Sequence, residues 1–224
     1  MTKKNTLFVV AVLVLIVIFG IQWQGGTTSQ ELVTQVDVQI EDDLRFFIEN
    51  ELNVWESALA AHDRVGAEPD LNLLLLVAFN AKHLGNLELA KETYDRYFET
   101  HTTNYTVYSN YGSVLRLMGD LEGSARAYRQ AIALDPDIEA FYMSLVRVLD
   151  EMGLHEEVED VYKDAINEIG QTRALLVALA EWYEEQGDCE KAISHYEVAF
   201  DLAETEGIAD AVAKDLAAVE ASCK

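Results

Sequence analysis

Apolar residues recur at helical spacing through residues 71–206, and a glycine interrupts the pattern four times. Before the first of these glycines the apolar positions are Leu74, Val77, Ala78, Ala81 and Leu84. After the second they are Leu121, Ala125, Tyr128, Ala131 and Ile132. Steps of three and four residues predict amphipathic helices. A glycine between two such segments allows the helix to stop and the chain to turn with positive φ, so each unit is predicted to be a helical hairpin.

Several columns of residues repeat with these hairpins at a spacing of 34. The glycines are Gly85, Gly119, Gly153 and Gly187, and the tyrosines nine positions later are Tyr94, Tyr128, Tyr162 and Tyr196. Compact residues stand five positions after each glycine (Ala90, Ser124, Val158, Ala192) and seven before it (Ala78, Gly112, Val146, Ala180). We interpret the tyrosines as core residues that fill the space beside the compact ones. One hairpin cannot bury its apolar face alone, so the period predicts a stacked array.

These columns resemble the tetratricopeptide repeat, most fully at residues 105–138, with Gly112, Gly119, Asp120, Tyr128, Ala131 and Pro136 in place. The resemblance implies an all-α fold, a right-handed superhelical solenoid of four repeats at 71–104, 105–138, 139–172 and 173–206. It also implies a binding scaffold rather than an enzyme, and it names no partner. In the third repeat Val146 and Val158 replace the usual small residues, which predicts a more splayed hairpin.

The amino-terminal segment predicts a membrane anchor. Residues 7–21 are uncharged and almost wholly apolar, and with their flanks they approach the length of a membrane span. Lys3 and Lys4 precede this run, and no basic residue follows until Arg45. The positive-inside rule then makes residues 1–23 a cytoplasmic tip and single transmembrane helix in the cytoplasmic membrane, with the repeats on the periplasmic or extracellular side. A cleaved secretory signal is the alternative, although Trp23 and Gln24 stand where small residues would be expected.

Two further segments flank the repeats. Residues 24–70 are predicted to hold a linker and then a helix, which is either a packing helix or a degenerate repeat, ending near Gly66 and Pro69. Its apolar stripe consists of Leu44, Phe47, Ile48, Leu52, Trp55 and Leu59. Residues 207–224 are predicted to form a carboxy-terminal capping helix that packs through Val212, Leu216 and Val219.

The charge and the scattered polar residues exclude several functions. Forty acidic residues against 16 basic ones give a net charge of −24, which argues against nucleic acid as a partner. The acidity indicates a well-solvated surface, or alternatively a salty habitat or a cationic partner. There is no phosphate-binding glycine loop and no nucleophile elbow, and the five histidines stand apart. We therefore expect no enzyme activity, no cofactor and no metal.

The concave groove is the predicted site of function. In proteins that this chain resembles, the first helix of each hairpin lines that groove. The predicted groove residues are Asn72, Leu75, Phe79, Lys82, Ser109, Ser113, Arg116, Met143 and Arg147. Thr106, Asp150, Val177, Glu181 and Glu184 are further outward positions. Lys82, Arg116 and Arg147 would form one basic strip that attracts an acidic segment, whereas ordinary variation of a solvated surface is the alternative.

Two function classes follow from this layout. The first is a membrane-anchored scaffold that binds a protein or peptide partner in its groove on the exported side. The second is an assembly factor for a membrane or periplasmic complex, of the kind found in cytochrome c maturation or pilus biogenesis, on architectural analogy alone.

The chain has two cysteines, Cys189 and Cys223. An exported domain lies in a compartment that permits oxidation, and a terminal helix folding back on the last hairpin would bring the two thiols together. We predict a Cys189–Cys223 disulfide that staples the end of the solenoid; two unrelated thiols are the alternative.

Overall fold

The described part of the protein, in this computed structural model, covers residues 42–66 and 70–222 and is helical throughout, without strands. Its helices are α1 (Asp42–Val65), α2 (Leu71–His83), α3 (Leu87–Phe98), α4 (Tyr105–Leu117), α5 (Leu121–Leu134), α6 (Glu139–Glu151), α7 (His155–Ile169), α8 (Arg173–Glu185), α9 (Cys189–Asp201) and α10 (Glu206–Ser222). Each helix packs on the next, so the described chain forms a stacked array. The right-handed winding implied by the resemblance stays a prediction.

The four predicted glycine turns are confirmed. Gly85, Gly119, Gly153 and Gly187 have φ values of 79°, 83°, 73° and 76°, in the region that side chains disfavour. Each lies between the two helices of a hairpin: α2–α3 is hairpin one, α4–α5 hairpin two, α6–α7 hairpin three and α8–α9 hairpin four. The glycine N–H also donates to a carbonyl three residues back, which closes the end of each first helix.

Polar caps start the second helices of three hairpins. The side chains of Asn86, Asp120 and Asp188 each accept a hydrogen bond from a backbone N–H in the first turn of the following helix. Hairpin three is the exception, because Leu154 stands at this position and cannot cap. The turn residues thus specify where the second helix begins in hairpins one, two and four.

The tyrosine column forms the interior of the hairpins, as predicted. Tyr94, Tyr128, Tyr162 and Tyr196 are all at most 4% exposed. In hairpin two the helices approach so closely that a Cβ on Gly112 would lie 3.1 Å from the ring of Tyr128. Ser124 adds a buried link, because its Oγ donates to the carbonyl oxygen of Gly112 at 2.7 Å.

Hairpin three closes differently. Val146 and Val158 occupy the two compact positions and are both buried. The contact between α6 and α7 is less extensive than the contact between the helices of the other three hairpins. The predicted splaying of this hairpin is therefore confirmed, and the larger valine side chains give its physical reason.

The helices at either end of the array cover the repeats. Leu52 and Leu59 on α1 are buried and share a core cluster with Leu74 and Val77 of α2. At the other end Val212 and Val219 of α10 are buried against the core of hairpin four, and Leu216 packs beside them. Both helices therefore use the apolar stripes that the sequence predicted, although Leu44 falls outside the described side chains.

The predicted membrane anchor at 1–23 lies outside the described residues, as do the predicted linker at 24–30, the start of the helix predicted at 31–65, and Pro69. Within the described ranges, no helix combines the length and the apolar character that a membrane span requires.

Candidate partner-binding groove

The predicted groove residues fall on equivalent turns of the first helices. Lys82, Arg116, Asp150 and Glu184 follow one another at 34-residue spacing on α2, α4, α6 and α8. A second column, three residues earlier, runs Phe79, Ser113, Arg147 and Glu181. The charge along this strip changes from basic in the first hairpins to acidic in the last. A ligand that lies along the strip therefore meets two electrostatically different halves.

Lys82 and Arg116 are close enough to influence one another. Lys82 is half-buried, and burial lowers the pKa of its ammonium; the positive charge of Arg116 lowers that pKa further. Two cations held together in this way, with little solvent around them, favour the approach of an anion. This pair places two positive charges close together in the predicted groove.

Arg116 already has a protein partner. Its Nη1 donates to Oε1 of Glu151 at 2.8 Å, and the Arg116 side chain is only 16% exposed. Glu151 is the last residue of α6, so the ion pair joins hairpin two to hairpin three. A ligand carboxylate would have to share Arg116 with Glu151 or displace Glu151. This ion pair was not predicted from the sequence. The sequence spacing could have indicated the ion pair, because Glu151 follows Arg116 by one residue more than the repeat period.

The hydroxyl of Tyr128 lies among polar side chains in the middle of the strip. Burial raises the pKa of Tyr128, while Ser144, Arg116, Ser113 and Arg147 each lower it by hydrogen bonding or by positive charge. Arg116 and Arg147 thus act on one buried hydroxyl from two adjacent first helices. Arg147 has an interaction of its own, so neither arginine is an isolated charge.

The apolar groove residues are shared between groove and core. Leu75 packs against the core cluster of the first hairpin and Met143 against that of the third, and both remain half-exposed. The ring of Phe79 lies 4.1 Å from that of His83, whose Nδ1 is 2.7 Å from the Phe79 carbonyl oxygen. These side chains offer fixed apolar contact rather than a mobile surface.

The outer positions of the groove differ in their exposure. Asn72 and Thr106 are exposed and Ser109 is half-buried, so all three can face a ligand. Asp150 lies 3.6 Å from His155 across a turn. Val177 was wrongly predicted to point outward: it is only 9% exposed and belongs to the core of hairpins three and four.

The remaining predictions concern metal ligands and the two cysteines. Among the described residues no group of three or more potential ligands could hold a metal ion. Cys189 is the half-buried first residue of α9 and is not free. Cys223 lies outside the described residues, so the pairing of these two cysteines stays a prediction.

The comparisons with known proteins agree with this architecture. Residues 105–138 and 175–209 each match a family model described as tetratricopeptide repeat. No curated protein matches the sequence.

Solved structures match the fold at low sequence identity. A crystal structure of MamA has a TM-score of 0.60 and 20% identity, covering 69% of this chain and 88% of that one. MamA from Desulfovibrio magneticus RS-1 gives 0.51 and 16%, covering 70% and 98%. TTC0263, a thermophilic TPR protein in Thermus thermophilus, gives 0.50 and 19%, covering 77% and 90%. The chain therefore carries tetratricopeptide repeats in an all-helical solenoid.

Proposed function

We propose that this protein is a membrane-anchored scaffold that binds an acidic or carboxylate-bearing protein segment in the groove of its tetratricopeptide repeats. The single observation that carries the proposal is the grouping of Lys82, Arg116 and Arg147 on one strip of a chain with net charge −24. Tetratricopeptide repeats bind protein partners as a class, and a non-enzymatic role fits a chain with no recognisable catalytic motif.

The strip offers both specificity and affinity for such a segment. Arginine pairs with carboxylates through two parallel hydrogen bonds, and partial burial strengthens these bonds. Leu75, Phe79 and Met143 provide apolar contact on the same helices. The acidic residues elsewhere on the surface would repel an acidic segment, so binding outside the strip is disfavoured.

The anchor and the exported location belong to the proposal as well. They rest on the apolar run at 7–21 and on Lys3 and Lys4 before it. Alkaline carbonate extraction of cells that express the full chain should leave the protein with the membranes. A mature amino terminus between residues 24 and 32, found by mass spectrometry, would instead indicate a cleaved signal.

The groove is tested by charge reversal. Cells expressing tagged full-length protein are cross-linked, and captured partners are identified by mass spectrometry. Arg116→Glu combined with Arg147→Glu should reduce capture of the specific partner, because the strip then repels carboxylates. Arg96→Glu combined with Arg126→Glu is the matched control: it changes the charge equally, lies on second helices, and also breaks one ion pair, that of Arg96 with Asp63.

Equal capture by both double variants and the original protein would remove the groove from the proposal. The identity of the captured partner separates the two function classes. Components of cytochrome c maturation or pilus biogenesis would favour an assembly factor, whereas other membrane-complex proteins would favour a general scaffold.

A further inference from the structure

A second concave feature lies away from the basic strip, between hairpins two and three. Helices α5, α6 and α7 enclose a cleft of about 540 Å³. It lies where α6 and α7 make less extensive contact than the helices of the other hairpins. The floor is apolar and includes Ile132, Leu145 and Val161. The cleft is within the size range of sites that accept a small group or side chain.

Tyr142 supplies an unsatisfied polar group at this cleft. The side chain lines the cleft and is 3% exposed, yet its hydroxyl has no hydrogen-bond partner among the described residues. A buried hydroxyl without a partner is costly, and in native proteins such a group calls for a specific explanation. A phenolic oxygen can accept a hydrogen bond as well as donate one, so a donor from outside would satisfy it.

Carboxylates form the rim beside this hydroxyl. Asp164 and Glu168 lie one turn apart on α7, both line the cleft, and neither forms an ion pair within the described residues. Burial raises the pKa of Tyr142, and the negative charges of Glu168, Asp164 and Asp137 raise it further. Arg129 also lines the cleft, but its guanidinium is held by Glu157 at 2.6 Å.

We propose that this cleft binds a lysine side chain presented by a partner protein. The ammonium has three donors, and three side chains that carry acceptor oxygens, Asp164, Glu168 and Tyr142, line the cleft. The four-carbon stem would lie on the apolar floor while its charged head reaches the rim, as lysine side chains commonly do at interfaces. Charge complementarity selects a basic segment here, in contrast to the acidic segment proposed for the groove.

The proposal goes beyond the proposed groove function and is tested separately from it. The probe is a dansyl-labelled Gly-Lys-Gly amide, titrated with the full chain in non-ionic detergent and followed by fluorescence anisotropy. Asp164→Asn combined with Glu168→Gln should weaken binding about fivefold, as expected for the loss of two partly exposed charge-assisted bonds. Tyr142→Phe should weaken binding about twofold, because it removes only the acceptor oxygen.

Two controls separate a built site from the general field of an acidic protein. Glu197→Gln combined with Asp201→Asn removes two exposed carboxylates one turn apart on α9 and should leave the affinity unchanged. The same peptide with norleucine in place of lysine should not bind. Equal weakening by the two double variants, or binding of the norleucine peptide, would overturn the proposal. Retained melting temperatures establish that the variants fold.

Discussion

Hairpins two and three are neighbours in the chain, and they close by different means. In hairpin two, Gly112 lets the ring of Tyr128 approach to a distance that a side chain would obstruct, and Ser124 bonds to the Gly112 carbonyl. In hairpin three the equivalent positions hold Val146 and Val158, which are buried but keep α6 and α7 further from full contact. Both are hairpins of the same repeat, so the repeat tolerates the exchange.

The difference shows that the compact columns set how deeply a hairpin closes rather than whether it forms. The cleft between α5, α6 and α7 lies where hairpin three meets the preceding hairpin.

The largest effect is expected from making hairpin three resemble hairpin two. Val146→Gly removes a side chain that is 6% exposed and places a glycine inside α6. The cavity and the lower helix propensity should together reduce the free energy of unfolding by about 3 kcal/mol. Urea unfolding followed by circular dichroism measures the change.

Val146→Ala serves as the control for that substitution, since alanine does not lower helix propensity and the cavity is then the destabilising change. A Val146→Gly protein as stable as the original would mean that α6 and α7 can close fully, and that valine is not what holds them apart.

The reverse exchange should have a somewhat smaller effect. Gly112→Val puts a branched side chain where a Cβ alone would lie 3.1 Å from Tyr128, and overpacking of this kind costs about 2 kcal/mol. Thermal unfolding followed at 222 nm is a sufficient measurement. Gly207→Val on α10 is the matched control, because a Cβ there meets no atom within 4 Å. Similar losses at both positions would show that the close approach to Tyr128 is not their cause, since valine has a higher helix propensity than glycine.

The buried bond of hairpin two predicts a still smaller loss. Ser124→Ala removes the donor to the Gly112 carbonyl, and the expected decrease in the free energy of unfolding is about 1 kcal/mol. Ser57→Ala is its counterpart in an exposed setting, where Oγ donates to the Asn53 carbonyl at 2.8 Å. Ser57→Ala should be close to neutral, and an equal loss in the two variants would show that burial adds nothing to this bond.

The fold could be predicted from the sequence more completely than the candidate site. The turns at Gly85, Gly119, Gly153 and Gly187 were predictable because positive φ and a fixed period leave little freedom. The wider packing of hairpin three was also predictable from its two valines, since side-chain size limits how closely two helices pack.

The site depends on pairings between repeats, which a one-dimensional pattern does not encode. Arg116 and Glu151 meet because the first helices of hairpins two and three are neighbours, and Val177 belongs to the core cluster that hairpins three and four share. The unsatisfied hydroxyl of Tyr142 is likewise a property of three helices together.

Hairpin four differs from hairpin three at another interior position, where His195 replaces Val161, and this predicts a small pH dependence. The ring of His195 stacks on that of Tyr183 with centroids 5.5 Å apart. Burial lowers the pKa of His195 below its usual 6.5, and the nearby charge of Lys191 lowers that pKa further. The unfolded chain therefore binds a proton more readily than the folded one. The stability that neutral His195 contributes is present above pH 6.5 and is lost as the pH falls through 6.5 toward the folded-state pKa.

The measurement is the free energy of unfolding between pH 8 and pH 6, compared for the original protein and for His195→Gln. The original should lose more stability than the variant over this range, by less than about 1 kcal/mol, because the ring is only half-buried and solvent screens its charge. His83 contributes in the same direction, since burial also lowers its pKa, so the variant should retain part of the slope. His101→Gln, at an exposed position between hairpins one and two, is the control for replacing a histidine outside hairpin four. Parallel curves for the original and His195→Gln would mean that protonated His195 is accommodated in hairpin four as well as in the unfolded chain, and that the exchange of valine for histidine alters packing alone.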